Sequence, residues 1–136
     1  MGMPTANTAM FQMENVRVPR ENLLGEEGNG FRVAMGSLVS GRLSVAAGCL
    51  GVIEDCLAEA VEYAKGRSQH GKEIARHQLV QEHIARIELG RVASEALVER
   101  AAALKDAAEA APADRELARR VDLLAAEAKF FATNAA

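Results

Sequence analysis

The side chains best equipped for chemistry gather between Arg67 and Gln78. Arg67-Ser68-Gln69-His70-Gly71-Lys72 is followed closely by His77-Gln78. A guanidinium forks two donors onto a carboxylate or phosphate. At a helix end it also complements the dipole, as Lys65, Arg67 and Lys72 would together. On the residues alone, both uses of Arg67 stay open. His70, His77 and His83 do not share one helical face at i, i+4 spacing, and no cysteine pair accompanies them. No metal site is therefore expected. Cys49 and Cys56 stand seven apart on one predicted helical face, which holds them too far apart for a disulfide. They read as small core residues of a reducing compartment, and Met1–Met10 carries no secretory or transit signal. A cytoplasmic location is expected.

Arg42 is the other charge with chemical interest. It is the one charged residue between Val33 and Ile53, a stretch of Val, Leu, Met and Ile threaded with Gly, Ser and Ala. An unpaired charge is costly to bury, so Arg42 must find a partner. That partner is either an acidic residue of another helix or a ligand.

The elements that must position these residues are set by periodicity. Phe31–Ala64 contains no proline or turn cluster and reads as one helix about 50 Å long. Being apolar nearly all round, it needs partners on several sides, and its small residues let them come close. It is long enough to span a membrane, but Arg42 at its centre would cost about 3 kcal/mol there. A soluble bundle is the better reading. Glu54, Glu59 and Glu62 belong to the surface of its second half.

Gly66 and Gly71 mark a helix end and turn. A second helix is expected over about 75–106, with an apolar stripe through Val80, Ile84, Ile87, Leu97 and Leu104. Its other face, Glu82, Arg86, Glu88, Arg91, Glu95, Glu99 and Arg100, reads as solvated. Residues 107–113, with Pro112, read as a loop. A third helix runs over 114–136, capped by Asp114, with Leu117, Val121, Leu124, Ala128 and Phe131 on its apolar face.

Before the long helix, 1–10 reads as loose and Phe11–Val18 as a short extended segment ended by Pro19. A lone strand is unstable, so that segment pairs elsewhere or lies as an arm. Residues 1–28 form this arm and 29–136 a helical bundle. The class is all-α, an up-and-down bundle with an extended N-terminal segment. Of 136 residues, 49% are hydrophobic and only 4% aromatic, which favours helices packed through small side chains over a β-sandwich. A net charge of −3 gives no nucleic-acid footprint.

With these residues in view, the chain resembles the acyl-CoA dehydrogenase family. Phe11-Gln-Met-Glu-Asn-Val-Arg-Val-Pro-Arg-Glu-Asn-Leu-Leu-Gly25 is similar to the segment leaving the family's middle β domain. Glu27-Gly-Asn-Gly-Phe31, Gly41-Arg42 and Ala46-Ala-Gly-Cys-Leu-Gly51 resemble the start of its C-terminal helical domain. Tyr63-Ala-Lys-Gly-Arg67-Ser-Gln-His-Gly71-Lys with His77-Gln78 resembles its flavin-contacting turn, and Ala128-Lys129 with Ala132-Thr133 its third helix.

The resemblance implies FAD as cofactor, acyl-CoA as substrate, homo-oligomers and oxidation of the thioester to a 2-enoyl-CoA. It implies that Arg67 reaches the diphosphate side of an FAD held by a neighbouring subunit. Gln69, His70, Ile74, His77 and Gln78 would lie near that cofactor, and Arg42 near the acyl-CoA. Where His70 stands the family usually has phenylalanine. Most members carry the catalytic glutamate beyond this chain's end, and a minority just before the arginine of the long helix, which here is Gly41. No catalytic residue is therefore named, and the chain reads as a portion of a larger enzyme, inactive alone. Two other readings stand beside it: a helical self-association module without redox chemistry, and a related flavin oxidase or monooxygenase.

Overall fold

The structure, a computed structural model, describes residue 6 and residues 9–136. The expected loose N-terminus, residues 1–10, lies mostly outside the described residues. Two compact units are present, 1–33 and 34–136.

In the first unit, Phe11–Val18 is irregular. Asn15 takes a left-handed φ of 53°, which bends the run, and no strand pairs with it among the described residues. Pro19 opens a 3-10 turn at Arg20–Asn22, closed by Asn22 N–H donating to the Pro19 carbonyl at 3.1 Å. Gly25 (φ 78°) and Gly28 (φ 88°) then reverse the chain. Asn29 Nδ2 donates to Glu26 Oε2 at 3.1 Å, and the Asn29 carbonyl accepts the first helical bond, from Val33 N–H.

Helix α1 runs Gly30–Gly66, α2 Gln78–Ala110 and α3 Arg115–Ala135. Between α1 and α2 lies a small antiparallel hairpin, β1 (Ser68–Gln69) with β2 (Lys72–Glu73), where a turn without ladder was expected. A 3-10 turn at Ile74–Arg76 and an extended His77 (φ −91°, ψ 129°) come next, so α2 starts three residues later than its apolar period suggests. It also ends later. Ala107, Ala108 and Ala110 are strong helix formers, and helix continues until Ala111 meets the restriction imposed by Pro112. Asp114 caps α3, its Oδ1 accepting from Leu117 N–H at 2.9 Å.

The core of the second unit is built largely of alanine. Ala46 of α1, Ala101 of α2 and Leu124, Ala128 and Ala132 of α3 form one buried cluster, with Leu43, Cys49, Leu97, Val98 and Leu104 around it. Small side chains bring the backbones close. A Cβ placed on Gly90, early in α2, would meet Cβ of Ala135, at the end of α3, at 3.2 Å, while Leu104 late in α2 lies beside Leu124, so α2 and α3 are antiparallel neighbours. Ser94 is buried completely, and its Oγ has no hydrogen-bond partner among the described residues.

The charged face of α2 is not wholly solvated. Arg91 is only 23% exposed and holds Glu88 at 2.8 Å, Glu95 at 3.0 Å and, across to α1, Glu54 at 3.9 Å. Glu88 and Glu95 raise the Arg91 pKa, chiefly through the hydrogen bond to Glu88. Arg86 and Glu82 pair at the surface as expected.

Partners on several sides of α1 are not found within the described residues. Only Ala46, Ile53 and Ala64 of this helix are buried. Met35, Leu38, Val45 and Val52 all remain between 42% and 51% exposed. By length and composition α1 is apolar enough to cross a membrane.

Candidate functional site

The hairpin between α1 and α2 organises the polar residues from Arg67 to Gln78. Its register pairs Ser68 with Glu73 and Gln69 with Lys72, leaving His70-Gly71 as a two-residue loop. Both loop residues have positive φ, 52° and 77°, the type I′ geometry that matches the right-handed twist of two strands. Glycine adopts this at no steric cost, and histidine is among the few other residues enriched there.

Several hydrogen bonds tie the loop to the segment that leads into α2. Ile74 N–H donates to the Arg67 carbonyl at 2.8 Å, and Lys72 Nζ to the Arg76 carbonyl at 3.2 Å. Gln81 Nε2 donates to the Ala75 carbonyl at 2.9 Å. With its proton on Nε2, His77 donates to the Gln69 carbonyl at 3.3 Å. The His70 ring stands edge-on to His77, centroids 6.1 Å apart and planes at 79°. The segment from Arg67 to Gln78 is thus a braced platform.

On this platform the side chains differ in freedom. Arg67, Gln69, His70 and Gln78 are exposed, whereas Ile74 and His77 are half-buried. Arg67 forms no ion pair among the described residues, so its donors are uncommitted. The polar set, one guanidinium, two amides and two imidazoles beside an aliphatic side chain, suits a ligand carrying both phosphate and a flat heterocycle.

Six of the seven residues picked out from sequence come together here. Arg42 does not. It lies 25 residues back along α1, about 37 Å away at helical rise. It is half-buried, and no carboxylate reaches it among the described residues. The salt-bridge partner considered for it is therefore not found among the described residues. Lys72, expected from sequence to complement a helix dipole, is instead set by the ladder opposite Gln69, beside the platform. The two-residue His-Gly interval between short polar pairs is too weak a signal to read this ladder from sequence.

Fold and platform together define a helical domain that carries a cluster of polar side chains on the hairpin linking its first two helices. A family model described as Acyl-CoA dehydrogenase, C-terminal domain, matches residues 28–136. A short-chain specific acyl-CoA dehydrogenase of Megasphaera elsdenii is 41% identical over 89% of this chain and 32% of its own length. An NADH-dependent acryloyl-CoA reductase of Anaerotignum propionicum is 41% identical over the whole chain and 34% of its own. The solved butyryl-CoA dehydrogenase of Megasphaera elsdenii superposes with a TM-score of 0.78 at 39% identity, over 90% of this chain and 30% of that one. The chain belongs to the acyl-CoA dehydrogenase family, and residues 28–136 correspond to its C-terminal helical domain. It spans about a third of the length of these two curated relatives.

Proposed function

We propose that this chain supplies the C-terminal-domain side of an FAD site in an acyl-CoA dehydrogenase, acting on acyl-CoA within a cytoplasmic homo-oligomer. The braced hairpin with its uncommitted Arg67 carries the reading. Arg67 holds the diphosphate of an FAD bound by a neighbouring subunit. Gln69, His77 and Gln78 offer hydrogen bonds to its ribose and adenine, His70 gives a flat ring to stack, and Ile74 gives apolar contact. Bound FAD would accept the β-hydrogen of the acyl thioester as hydride once a glutamate has taken the α-proton. Arg42 serves the acyl-CoA side, where a ligand takes the place of the missing carboxylate partner. Gly41 has no side chain with which to act as base, so the chain alone is inactive.

A second property is favoured by the open apolar face of α1, Met35, Leu38, Val45 and Val52. A face of this size and character drives self-association. The Arg42 charge within this face, and the likeness of α1 to a bundle helix of the family, set it against protein and not lipid.

Calorimetric titration of the chain with FAD tests the cofactor reading. Weak binding is expected that ADP competes away and riboflavin does not, because the platform serves the diphosphate side. Arg67→Ala should weaken it at least tenfold, the scale of a lost charge-assisted pair. Equal competition by riboflavin, or unchanged binding by Arg67→Ala, overturns the assignment. In a dye-reduction assay with acyl-CoA and added FAD, the chain should show no turnover.

A further inference from the structure

We propose that Asn29 is a site of spontaneous covalent modification. The Gly30 amide nitrogen closes on the Asn29 side-chain carbonyl carbon, ammonia leaves, and water opens the resulting imide ring. Aspartate or its β-linked isomer then stands at the entrance to α1. Attack within one chain needs no partner molecule, because the two reacting groups are already neighbours. What limits it is crowding by the following residue and the freedom of that residue's N–H.

Asn29 meets both conditions. It is followed by Gly30, which has no Cβ to crowd the approach. Both residues are exposed, and even a Cβ added at Gly30 would meet nothing within 4 Å. Gly30 opens α1, so its N–H is one of the donors that a helix leaves without an internal partner. It donates to no backbone carbonyl among the described residues. The other described asparagines each fail a condition. Asn15 precedes Val16, whose branched side chain crowds the nitrogen. The nitrogen after Asn22 belongs to Leu23 and donates to the Arg20 carbonyl at 3.1 Å. Asn134 lies within α3, and its own side-chain amide donates to the Phe130 carbonyl at 2.6 Å.

The reaction consumes only water. The bond from Gly30 N to Asn29 Cγ forms as the Cγ–Nδ2 bond breaks. The Gly30 N–H proton goes to solvent base, and the departing nitrogen takes a proton from water and leaves as ammonia. Hydrolysis at Cγ gives an ordinary aspartate. Hydrolysis at the Asn29 main-chain carbonyl instead routes the backbone through Cβ and Cγ. The two products act differently on α1. Aspartate caps a helix about as well as asparagine and suits the positive end of its dipole. The β-linked form puts an extra atom into the main chain and takes out of it the carbonyl that accepts from Val33 N–H at 3.1 Å. Both products lose the bond that Asn29 Nδ2 donates to Glu26 Oε2, and both add a negative charge beside Glu26 and Glu27.

Incubation of the full chain in mildly alkaline buffer tests this. Each asparagine is followed by peptide mass spectrometry, and electron-transfer fragmentation separates the two linkages. Asn29 should convert at least tenfold faster than Asn15, Asn22 or Asn134, with a more acidic species appearing on anion exchange. Gly30→Ala should slow the conversion at least tenfold. Its Cβ has room, so circular dichroism should show helicity unchanged or raised. Amide exchange at Val33 should be faster in the β-linked fraction, whereas Asn29→Asp should leave it as in the parent chain. Asn29 converting no faster than the other asparagines, or equally fast in Gly30→Ala, overturns the site. So does an Asn29 that stays intact in the native chain and converts only in urea, because the fold would then be holding the Gly30 N–H. Equal Val33 exchange in the β-linked fraction and in Asn29→Asp overturns the effect on α1.

Discussion

Ser94→Ala should stabilise the second unit. The side chain is completely buried on α2, and its Oγ meets no partner among the described residues. Taking a hydroxyl out of water without a replacement hydrogen bond costs about 1–3 kcal/mol in protein mutational data. Removing it recovers that cost. Alanine also gains about 0.5 kcal/mol of helix propensity in mid-helix. Against this stands the space left by one oxygen atom, smaller than a methyl group and worth at most about 1 kcal/mol. The balance is a gain of about 1 kcal/mol or more, equivalent to about 4 °C in Tm for a unit of this size. Urea denaturation followed at 222 nm, at fixed protein concentration and with an unchanged m-value, measures it. Destabilisation by 0.5 kcal/mol or more would show that the hydroxyl is satisfied, and would refute the argument from burial.

The geometry yields three further outcomes. Glu88 is held below its ordinary carboxyl value of 4.5, chiefly by its hydrogen bond to Arg91. Its contribution is present above that value and lost as pH falls through the lower folded-state value, so Glu88→Gln should flatten the acid side of a stability–pH profile below about 4.5. Gly71→Ala puts a Cβ on a backbone at φ 77° and should cost about 1–2 kcal/mol, read as faster amide exchange at Ile74, whose N–H closes the hairpin. Ala128→Leu forces three methylene-sized groups into a fully buried contact among α1, α2 and α3. It should destabilise by about 1–3 kcal/mol or more in the same urea assay.

Much of the architecture was legible because the signals were local. The cap at Asp114, the 3.6-residue apolar stripe of α3 and the uninterrupted run of α1 all depend on residues within a turn or two of each other. The hairpin was not legible. Its strands are two residues each, and His-Gly is not the Asn-Gly or Asp-Gly signature of a type I′ loop, so it reads as a helix end. Arg91 resembles any solvated charge in the sequence, because its bonds to Glu88 and Glu95 have ordinary helical spacing. Only its reach to Glu54 on α1 sets it apart, and that is a tertiary fact. The platform residues are legible from Arg67 outward, but their bracing through backbone carbonyls of Arg67, Gln69, Ala75 and Arg76 leaves no trace in side-chain type.

The alanine-built centre makes this domain's tolerance of change lopsided. Where helices meet through methyl groups, there is little side chain left to trim, so truncation scanning would find few sensitive positions. Enlargement has nowhere to go, because the spacing is set by main chain against main chain. Variation at Ala46, Ala101, Ala128 and Ala132 should therefore be confined to small residues, glycine above all, while outward positions of α2 and α3 have more room to change.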